Sequence, residues 1–404
     1  MKVYFNQIDM QRRTIFYPKT DMAWDSAYIA ALRSTYTQDI VRLQPYVDII
    51  IRHTFGHKIA IIKPLAWAGT FHVLYHVVYD DQQLVVRLNR VADQQQSSHM
   101  LVDQQIYGLL ATHGLPSLQV YAADISRTVV PTDYQVLGYS DGQPLYAFQD
   151  SQTQYMAPEL LQNVGQLVAG VHKITLTGYG PLSVGQFSNV TSQSSACAEH
   201  ICHPELVSGS RYDPSTISGR ASAGNTPALT GIHTTWADYI LLRLDEHIAV
   251  CHNIGAINHQ EADTIKKLFL QNHFLFHNAP SVLLHGDLGN HNMLSSDGHT
   301  IAALIDWEDA MAGDPLFDIA FWGTFGREHL RDDFLVGYTT ITALPSDWEL
   351  RYWLYYLRIA LSKTVHRFKF GYTDAPSRPP ASQRIQRALG HIERLSPILT
   401  EELF

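Results

Sequence analysis

Two clusters of Asp, Asn and His follow short apolar runs in the last third of the chain. The first lies in "LLHGDLGNHNML", residues 283–294, and the second in "IAALIDWEDAMAGDPLFDIAFWG", residues 301–323. Asp287 and Asn292 are five positions apart, and Asp306 follows the apolar run of the second segment. Phosphoryl transfer needs oxygen ligands for Mg²⁺ and a carboxylate beside the attacking hydroxyl. The residue types and their spacing therefore predict a magnesium and phosphate site.

The spacing D-x-x-x-x-N, followed by a strand that ends in Asp, is that of a kinase catalytic loop and its metal-binding segment. With "GDPLFDIA" after it, the sequence resembles the aminoglycoside phosphotransferase (APH/choline kinase-like) family, whose pattern is H-G-D-x-x-x-x-N, I-D-[WF] and G-D-P-x-x-D-[LIV]-A. The resemblance implies an α+β, protein-kinase-like fold of two lobes. A small N-terminal β-sheet lobe with one helix and a larger, mainly helical C-terminal lobe would hold ATP, or GTP, and Mg²⁺ in the cleft between them.

The resemblance also implies a role for each acid of the two clusters. Asp287 would be the catalytic carboxylate that accepts or orients the proton of the substrate hydroxyl. Asn292 and Asp306 would be the Mg²⁺ ligands. Asp314 and Asp318 would be structural, tying the metal-binding loop to the helix that follows it.

In the resembling family, a strand residue of the first lobe contacts the nucleotide phosphates and pairs with an acid on the next helix. Arg87, in "LVVRLN", occupies the strand position, where many kinases have Lys. Arg can still bind phosphate and pair with a carboxylate. The helix offers Asp103, one methylene shorter than the expected Glu, and the sequence leaves Gln104 open as the alternative partner.

Two further segments complete the predicted nucleotide site. The turn "AGTF", with Gly69, would cover the phosphates, although any hairpin turn supplies a glycine. Gly138, Tyr139 and Ser140 fall where the family passes between its lobes and contacts adenine through backbone groups. Backbone recognition leaves no side-chain pattern, so this prediction rests on position alone.

The region 281–350 contains twelve Asp or Glu and two Arg. Glu308 and Asp309 follow the metal-binding Asp, and these acids predict a cationic acceptor, although a solvated acidic surface explains them equally well. The leading function is ATP-dependent phosphorylation of a hydroxyl of an aminoglycoside-like amino sugar.

The aromatic run "RYWLYYLRIALSKTVHRF", residues 351–368, is most simply a core helix. As an alternative, part of it could form a wall of the acceptor pocket.

Composition narrows the class of protein. The chain has 404 residues and a formal net charge of -9, which argues against a nucleic-acid partner because such partners bind basic proteins. There is no apolar leader and no apolar run of membrane-spanning length. Three cysteines argue against a disulfide framework and fit a reducing compartment, so we expect a cytoplasmic protein.

Hydrophobic periodicity divides the chain in two. Residues 67–90 alternate around "DDQQ" as in a hairpin, and a helix and a short strand follow. From residue 158 the pattern is helical, with helices expected over 158–174, 236–255, 260–276 and 348–368. The predicted domains are a nucleotide-binding lobe, 1–140, and a catalytic and substrate-binding lobe, 141–404. The Ser- and Gly-rich stretch 188–228 predicts a flexible insertion.

Other functions remain open at this point. Within the same fold the acceptor could be choline, ethanolamine, homoserine, methylthioribose, a fructosamine or a macrolide. A catalytically silent nucleotide-binding protein is a second class, although it would not need Asp287, Asn292 and Asp306 together. A zinc hydrolase using His285 lacks further spaced His or Cys ligands. A P-loop kinase lacks its motif G-x-x-x-x-G-K-[ST].

Overall fold

The computed structural model describes residues 12–21, 26–56, 61–65, 71–90, 100–150, 155–184, 229–325, 328–372 and 380–395. The predicted insertion at 188–228 lies outside these residues, as does Gly69. Within the described ranges, no helix combines the length and apolar content needed to cross a membrane. The described chain forms one lobe around a five-stranded sheet and a second, mainly helical lobe.

The first lobe is an antiparallel sheet with helices on both faces. A short helix, α1 (Pro18–Asp21), precedes it in the chain. The helices of the lobe are α2 (Ser26–Ser34), α3 (Tyr36–Phe55) and α4 (Met100–Thr112). Its strands, in the spatial order β1-β2-β3-β5-β4, are β1 (Ile61–Pro64), β2 (His72–Tyr79), β3 (Gln82–Asn89), β4 (Val120–Asp124) and β5 (Tyr134–Gly138).

The hairpin β2–β3 positions Arg87. Its turn residues Asp80 and Asp81 have φ values of 46° and 63°, the left-handed backbone that a two-residue hairpin turn requires and that Asp tolerates. Because side chains alternate along a strand, Val86 and Leu88 are buried against α3. Arg87 leaves the opposite face of the sheet and reaches α4.

Helix α3 covers the sheet face opposite α4, and it is absent from the sequence prediction of a single helix in this lobe. Four apolar side chains recur along one stripe of α3 and are fully buried against the sheet. They are Leu43, Val47, Ile50 and Ile51. The helix ends at Gly56, whose φ of 79° is the left-handed conformation common at helix ends. The apolar face of the sheet that α3 covers needs such a helix to exclude water.

The second lobe surrounds two small antiparallel sheets with helices. One sheet has the order β11-β10-β6 and the other β8-β7-β12-β9. The strands are β6 (Gln143–Pro144), β7 (Tyr179–Val184), β8 (Leu229–His233), β9 (Val282–Leu284), β10 (Met293–Ser295), β11 (Ala303–Leu304) and β12 (Met311–Gly313). The helices are α5 (Pro158–Val171), α6 (Trp236–Ile240), α7 (Leu244–Asn253), α8 (His259–Gln271), α9 (Pro315–Gly323), α10 (Arg331–Thr339), α11 (Trp348–Lys369) and α12 (Ala381–Leu395).

The prediction of one continuous helix over 236–255 is wrong. The structure has two helices, α6 and α7, separated at Arg243, which has a φ of 53°. The Arg243 guanidinium donates to the carbonyl of Asp21 at 3.1 Å. A tertiary contact of this kind stabilises a break that hydrophobic periodicity does not reveal.

The first described residues, 12–21, pack in the second lobe. Phe16 and Tyr17 belong to its hydrophobic core. Their backbone N–H groups donate to the carboxylate of Asp21 at 2.7 and 3.1 Å. These residues therefore lie apart from the sheet lobe, to which the sequence boundary at residue 140 assigns them.

Candidate active site

The loop that carries Asp287 leaves β9 through a turn that favours glycine. Gly286 has a φ of 78°, and a Cβ at this position would overlap the carbonyl oxygen of Asp309. The backbone N–H groups of His285 and Gly286 donate to the two carboxylate oxygens of Asp318, at 2.6 and 2.9 Å. The carboxylate of Asp318, on α9, thus holds the start of the loop, and this contact would be its predicted structural role.

His285 joins this loop to the segment that carries Asp306. Its Nε2 donates to the carbonyl of Ile305 at 2.9 Å, and its Nδ1 accepts from the backbone N–H of Asp287 at 3.3 Å. The ring also packs on Trp307, with centroids 4.6 Å apart. Since both ring nitrogens are engaged, His285 positions the two segments relative to each other.

Asn292 and Asp306 offer oxygen donors suited to Mg²⁺. Asn292 donates from Nδ2 to the carbonyl of Asp287 at 3.0 Å, and this contact leaves its Oδ1 for a cation. Asp306 has a φ of 65° and a side chain that is 45% exposed. Both residues line the same cavity as Asp287. An amide and a carboxylate oxygen, completed by phosphate and water oxygens, match the preference of Mg²⁺, so the residues fit this ion.

Arg87 and Asp103 form a buried ion pair, and Gln104 is exposed. Arg87 Nη1 lies 2.6 Å from Asp103 Oδ2, and the Asp103 side chain is 1% exposed. Within the described chain, Asp103 Oδ1 has no hydrogen-bond partner. Burial outweighs the influence of Arg87 and raises the pKa of Asp103 to about 6. The alternative that the sequence leaves open is thus resolved in favour of Asp103.

The raised pKa of Asp103 predicts a characteristic pH dependence of stability. The Asp103 carboxyl has a pKa of about 6 in the folded protein, above the usual 3.8. Its protonation therefore stabilises the folded protein, and this contribution to the free energy of unfolding is complete below the usual pKa of 3.8 and is lost as the pH rises through 6. The free energy of unfolding of the wild type, relative to Asp103→Asn, should therefore rise by roughly 2 kcal/mol as the pH falls from 7 to 4. Urea unfolding at several pH values measures this difference. A difference that grows with rising pH instead would show that Arg87 keeps the carboxylate ionised.

The two acids predicted to bind the acceptor lie in different environments. Glu308 lines the cavity and its side chain is 20% exposed. It accepts a hydrogen bond from Arg87 Nη2 and lies 3.0 Å from His72 Nδ1. Asp309 is buried, and its Oδ2 accepts from the hydroxyl of Tyr17 at 3.3 Å. Adjacent residues of one 3-10 turn therefore point to opposite sides of it.

Most of the predicted site residues line a cavity of about 610 Å³. The predicted residues that line it are Arg87, Gly138, Tyr139, Ser140, Asp287, Asn292, Asp306 and Glu308. Asp103 lies behind Arg87, and Asp309 is not part of the lining within the described chain. The structure thus brings together the predicted catalytic, metal-binding and phosphate-binding side chains.

The segment 138–140 forms one end of the cavity lining. The backbone N–H of Gly138 donates to the carbonyl of Gln119 at 2.8 Å, and that of Tyr139 donates to the carbonyl of Gln83 at 3.1 Å. The Tyr139 ring packs on His76, with centroids 4.5 Å apart. These two N–H groups are therefore engaged within the first lobe.

Comparison with known proteins identifies the family. The profile of the APH family, a phosphotransferase enzyme family, matches residues 62–354, which is more than half of the chain. The chain belongs to this phosphotransferase family.

One curated relative and several solved structures are similar to this family member. Hygromycin-B 4-O-kinase of Escherichia coli is 32% identical over 117 residues, which cover 27% of this chain and 32% of that protein. The chain thus spans about a third of the length of the curated relative it matches.

The solved structures show the fold. A thermostable mutant of aminoglycoside phosphotransferase APH(4)-Ia, in complex with AMP-PNP and hygromycin B, has a TM-score of 0.52 at 19% identity and covers 85% of this chain and 98% of its own. A ternary complex of that enzyme with ADP and hygromycin B has a TM-score of 0.53 at 18% identity, with the same coverage. The predicted protein-kinase-like, two-lobed α+β fold is confirmed.

In this family member, the sequence patterns do not reveal His72 as a site residue, and the end of the aromatic run has only a minor predicted role. His366, Phe370 and Tyr372, at the end of α11 and just beyond it, line the cavity, and we call them the aromatic wall. The His366 and Phe370 centroids are 4.6 Å apart, and those of Phe370 and Tyr372 are 6.0 Å apart. Most of α11 is core, as predicted. Its periodicity alone does not show which turn faces the cavity.

Proposed function

We propose that the protein is an ATP-dependent O-phosphotransferase that acts on a hydroxyl of an aminoglycoside-like amino sugar. The observation that carries this proposal is the assembly of Asp287, Asn292 and Asp306 on one cavity. Arg87 lies 3.8 Å from Asp306, so the pair of Arg87 and Asp103 adjoins the same site. A protein that only bound a nucleotide would not need the catalytic carboxylate as well.

The proposed reaction assigns each side chain a step. Asp287 accepts the proton of the acceptor hydroxyl while the hydroxyl oxygen forms a bond to the γ-phosphorus of ATP. The bond from that phosphorus to the β,γ-bridging oxygen breaks, and ADP leaves with the electron pair. Asn292 and Asp306 would hold Mg²⁺, which supplies charge neutralisation at the phosphates when bound. Arg87 would contact the phosphates, with Asp103 fixing its guanidinium.

Only some of the acids that the sequence places at the cleft line the cavity. Among the described residues, the acids that line the cavity are Asp287, Asp306 and Glu308. Asp309 is buried, and Asp332, which is 89% exposed, lies outside the lining. Charge attraction alone therefore gives a cationic acceptor few contacts beyond the catalytic acids. The likeness to hygromycin-B 4-O-kinase supports an amino sugar more than these charges do.

Contacts lead from Asp287 to α11, the helix that ends in the aromatic wall, and we propose this wall as the surface for the acceptor ring. Asp287 Oδ2 lies 3.8 Å from His291 Nε2, and the His291 and Phe325 ring centroids are 5.5 Å apart. Lys363 Nζ lies 3.7 Å from the Phe325 ring centroid, one helical turn before the wall. A sugar ring presents an apolar face that aromatic side chains can cover, and its amino groups can lie over their π-faces.

Removing one ring of the wall should weaken acceptor binding selectively. Phe370→Ala should raise the KM for the acceptor about 5- to 30-fold, equivalent to ~1–2 kcal/mol, while the KM for ATP stays nearly constant. Steady-state kinetics with each substrate varied in turn measure both constants. Phe368→Ala is the matched control, because Phe368 lies two residues before Phe370, is 60% exposed and is not part of the lining. Equal effects of the two variants would contradict the assignment.

Mg²⁺-dependent consumption of ATP tests the proposed function. The acceptor panel comprises aminoglycosides including hygromycin B, macrolides, choline and small sugars, with Asp287→Ala as the control. We expect turnover with an amino sugar by the wild type alone. Turnover with choline or a macrolide would support the proposed phosphoryl transfer but contradict the proposed amino-sugar acceptor. If the wild type turns over no compound that Asp287→Ala does not, the catalytic proposal fails.

A further inference from the structure

One guanidinium group, that of Arg87, faces three carboxylates. Its Nη1 lies 2.6 Å from Asp103, and its Nη2 contacts Glu308 and lies 3.8 Å from Asp306. His72 approaches the same place, with Nδ1 3.0 Å from Glu308 and 3.5 Å from Arg87 Nη2. Both terminal nitrogens of the predicted phosphate-binding residue are therefore already engaged.

The three carboxylates are not equivalent. Asp103 is buried behind Arg87 and holds Nη1 from the side away from the cavity lining. Asp306 is needed for the metal ion in the proposed reaction. Glu308 lines the cavity, is partly exposed and occupies Nη2. A phosphate oxygen that approaches Nη2 therefore competes with the carboxylate of Glu308, because both are anionic acceptors for the N–H groups of that nitrogen.

We propose that Glu308 competes with the nucleotide phosphates for Arg87 and thereby sets the nucleotide affinity of the site. This inference rests on the proposed function, since it requires that the cavity binds a polyphosphate. In the free protein, Glu308 neutralises the guanidinium and, with His72, keeps it in place. When a di- or triphosphate binds, the carboxylate leaves Nη2 and a phosphate oxygen takes its position. The contact between Glu308 and the guanidinium must break for this exchange, and its loss lowers the affinity for the phosphates.

This role differs from the acceptor-binding role that the sequence predicts for Glu308. A residue that binds the acceptor changes the acceptor KM and leaves nucleotide binding without acceptor unaltered. A residue that competes for Arg87 changes nucleotide binding in the absence of any acceptor. The effect must also depend on the phosphates, so adenosine should not show it.

Calorimetric titration with AMP-PNP, ADP and adenosine, at constant Mg²⁺ and without acceptor, tests the inference. For Glu308→Gln, which keeps the shape and removes the charge, we expect AMP-PNP and ADP to bind about 3- to 30-fold more tightly and adenosine to bind unchanged. Asp332→Asn removes one charge at an exposed position outside the cavity lining and should leave all three affinities unchanged. In an Arg87→Met background, Glu308→Gln should give no gain, because the competition acts through Arg87.

Each other outcome overturns the inference in a distinguishable way. If the wild type binds AMP-PNP but Glu308→Gln binds it equally or more weakly, Glu308 supports Arg87 instead of competing for it. A gain that persists in the Arg87→Met background would show a general charge effect. If the wild type binds none of the three ligands, the proposed function fails together with the inference. Glu308→Ala serves as a second variant in case Glu308→Gln misfolds, and thermal unfolding of both variants checks that they are folded. The inference requires that the two variants show the same change in nucleotide affinity.

Discussion

Replacing Asp287 with asparagine should lower kcat by about 10²- to 10⁴-fold. The amide keeps the size of the side chain but cannot accept the proton of the attacking hydroxyl. The backbone contacts that hold the loop do not use this carboxylate, since the Asp287 N–H donates to His285 and its carbonyl accepts from Asn292. The Asn292 amide and the loop conformation should therefore persist. We expect ATP affinity to stay within about twofold of the wild type, so the loss should appear in kcat.

The measurement combines initial rates, taken with the best acceptor of the panel, and calorimetric titration with AMP-PNP. Asp332→Asn serves as the control, because it makes the same chemical change on a side chain that is 89% exposed. A parallel loss of AMP-PNP affinity in Asp287→Asn would assign Asp287 to nucleotide or metal binding instead. An unchanged kcat would remove Asp287 from the reaction altogether.

The catalytic part of the site is readable from the sequence because its chemistry lies in short contiguous segments. Asp287 and Asn292 share one loop, and Asp306 ends the next strand region, so residue type and spacing alone place them together. For Arg87, strand alternation fixes only the face from which its side chain leaves the sheet. Its role as a phosphate-binding residue comes from the resemblance to the family.

The rest of the site depends on tertiary contacts that local patterns do not encode. Glu308 and Asp309 are adjacent acids with the same apparent role in the sequence. The 3-10 turn sends Glu308 to Arg87 in the cavity and Asp309 to the buried hydroxyl of Tyr17. The turn has three residues, Trp307–Asp309, and offers no periodicity from which to infer direction. Tyr17 itself comes from the first described segment, which no local pattern joins to this turn.

That first segment is held to the second lobe by a buried polar chain. Asp21 Oδ1 lies 2.7 Å from His247 Nε2, and Arg358 Nη1 donates to His247 Nδ1 at 2.9 Å. Arg358 also donates from Nε to the carbonyl of Ile240 at 2.7 Å. Its guanidinium lies 3.5 Å from the centre of the Phe16 ring. Burial lowers the pKa of Arg358 to about 9, and the nearby carboxylate of Asp21 opposes this shift.

Arg358→Met should therefore be among the most destabilising single substitutions in the chain. Methionine fills similar volume but removes every donor, leaving His247 Nδ1 and the carbonyl groups of Ile240 and Leu242 without the guanidinium. Breaking a buried charged network in this way costs about 3–5 kcal/mol of the free energy of unfolding, measurable by urea denaturation. Arg243→Met is the matched control: its guanidinium also reaches Asp21 but is 30% exposed and pairs with the exposed Glu246, so its loss should stay below about 1 kcal/mol. If the two variants lose equal stability, burial of the network is not what holds residues 12–21 on the second lobe.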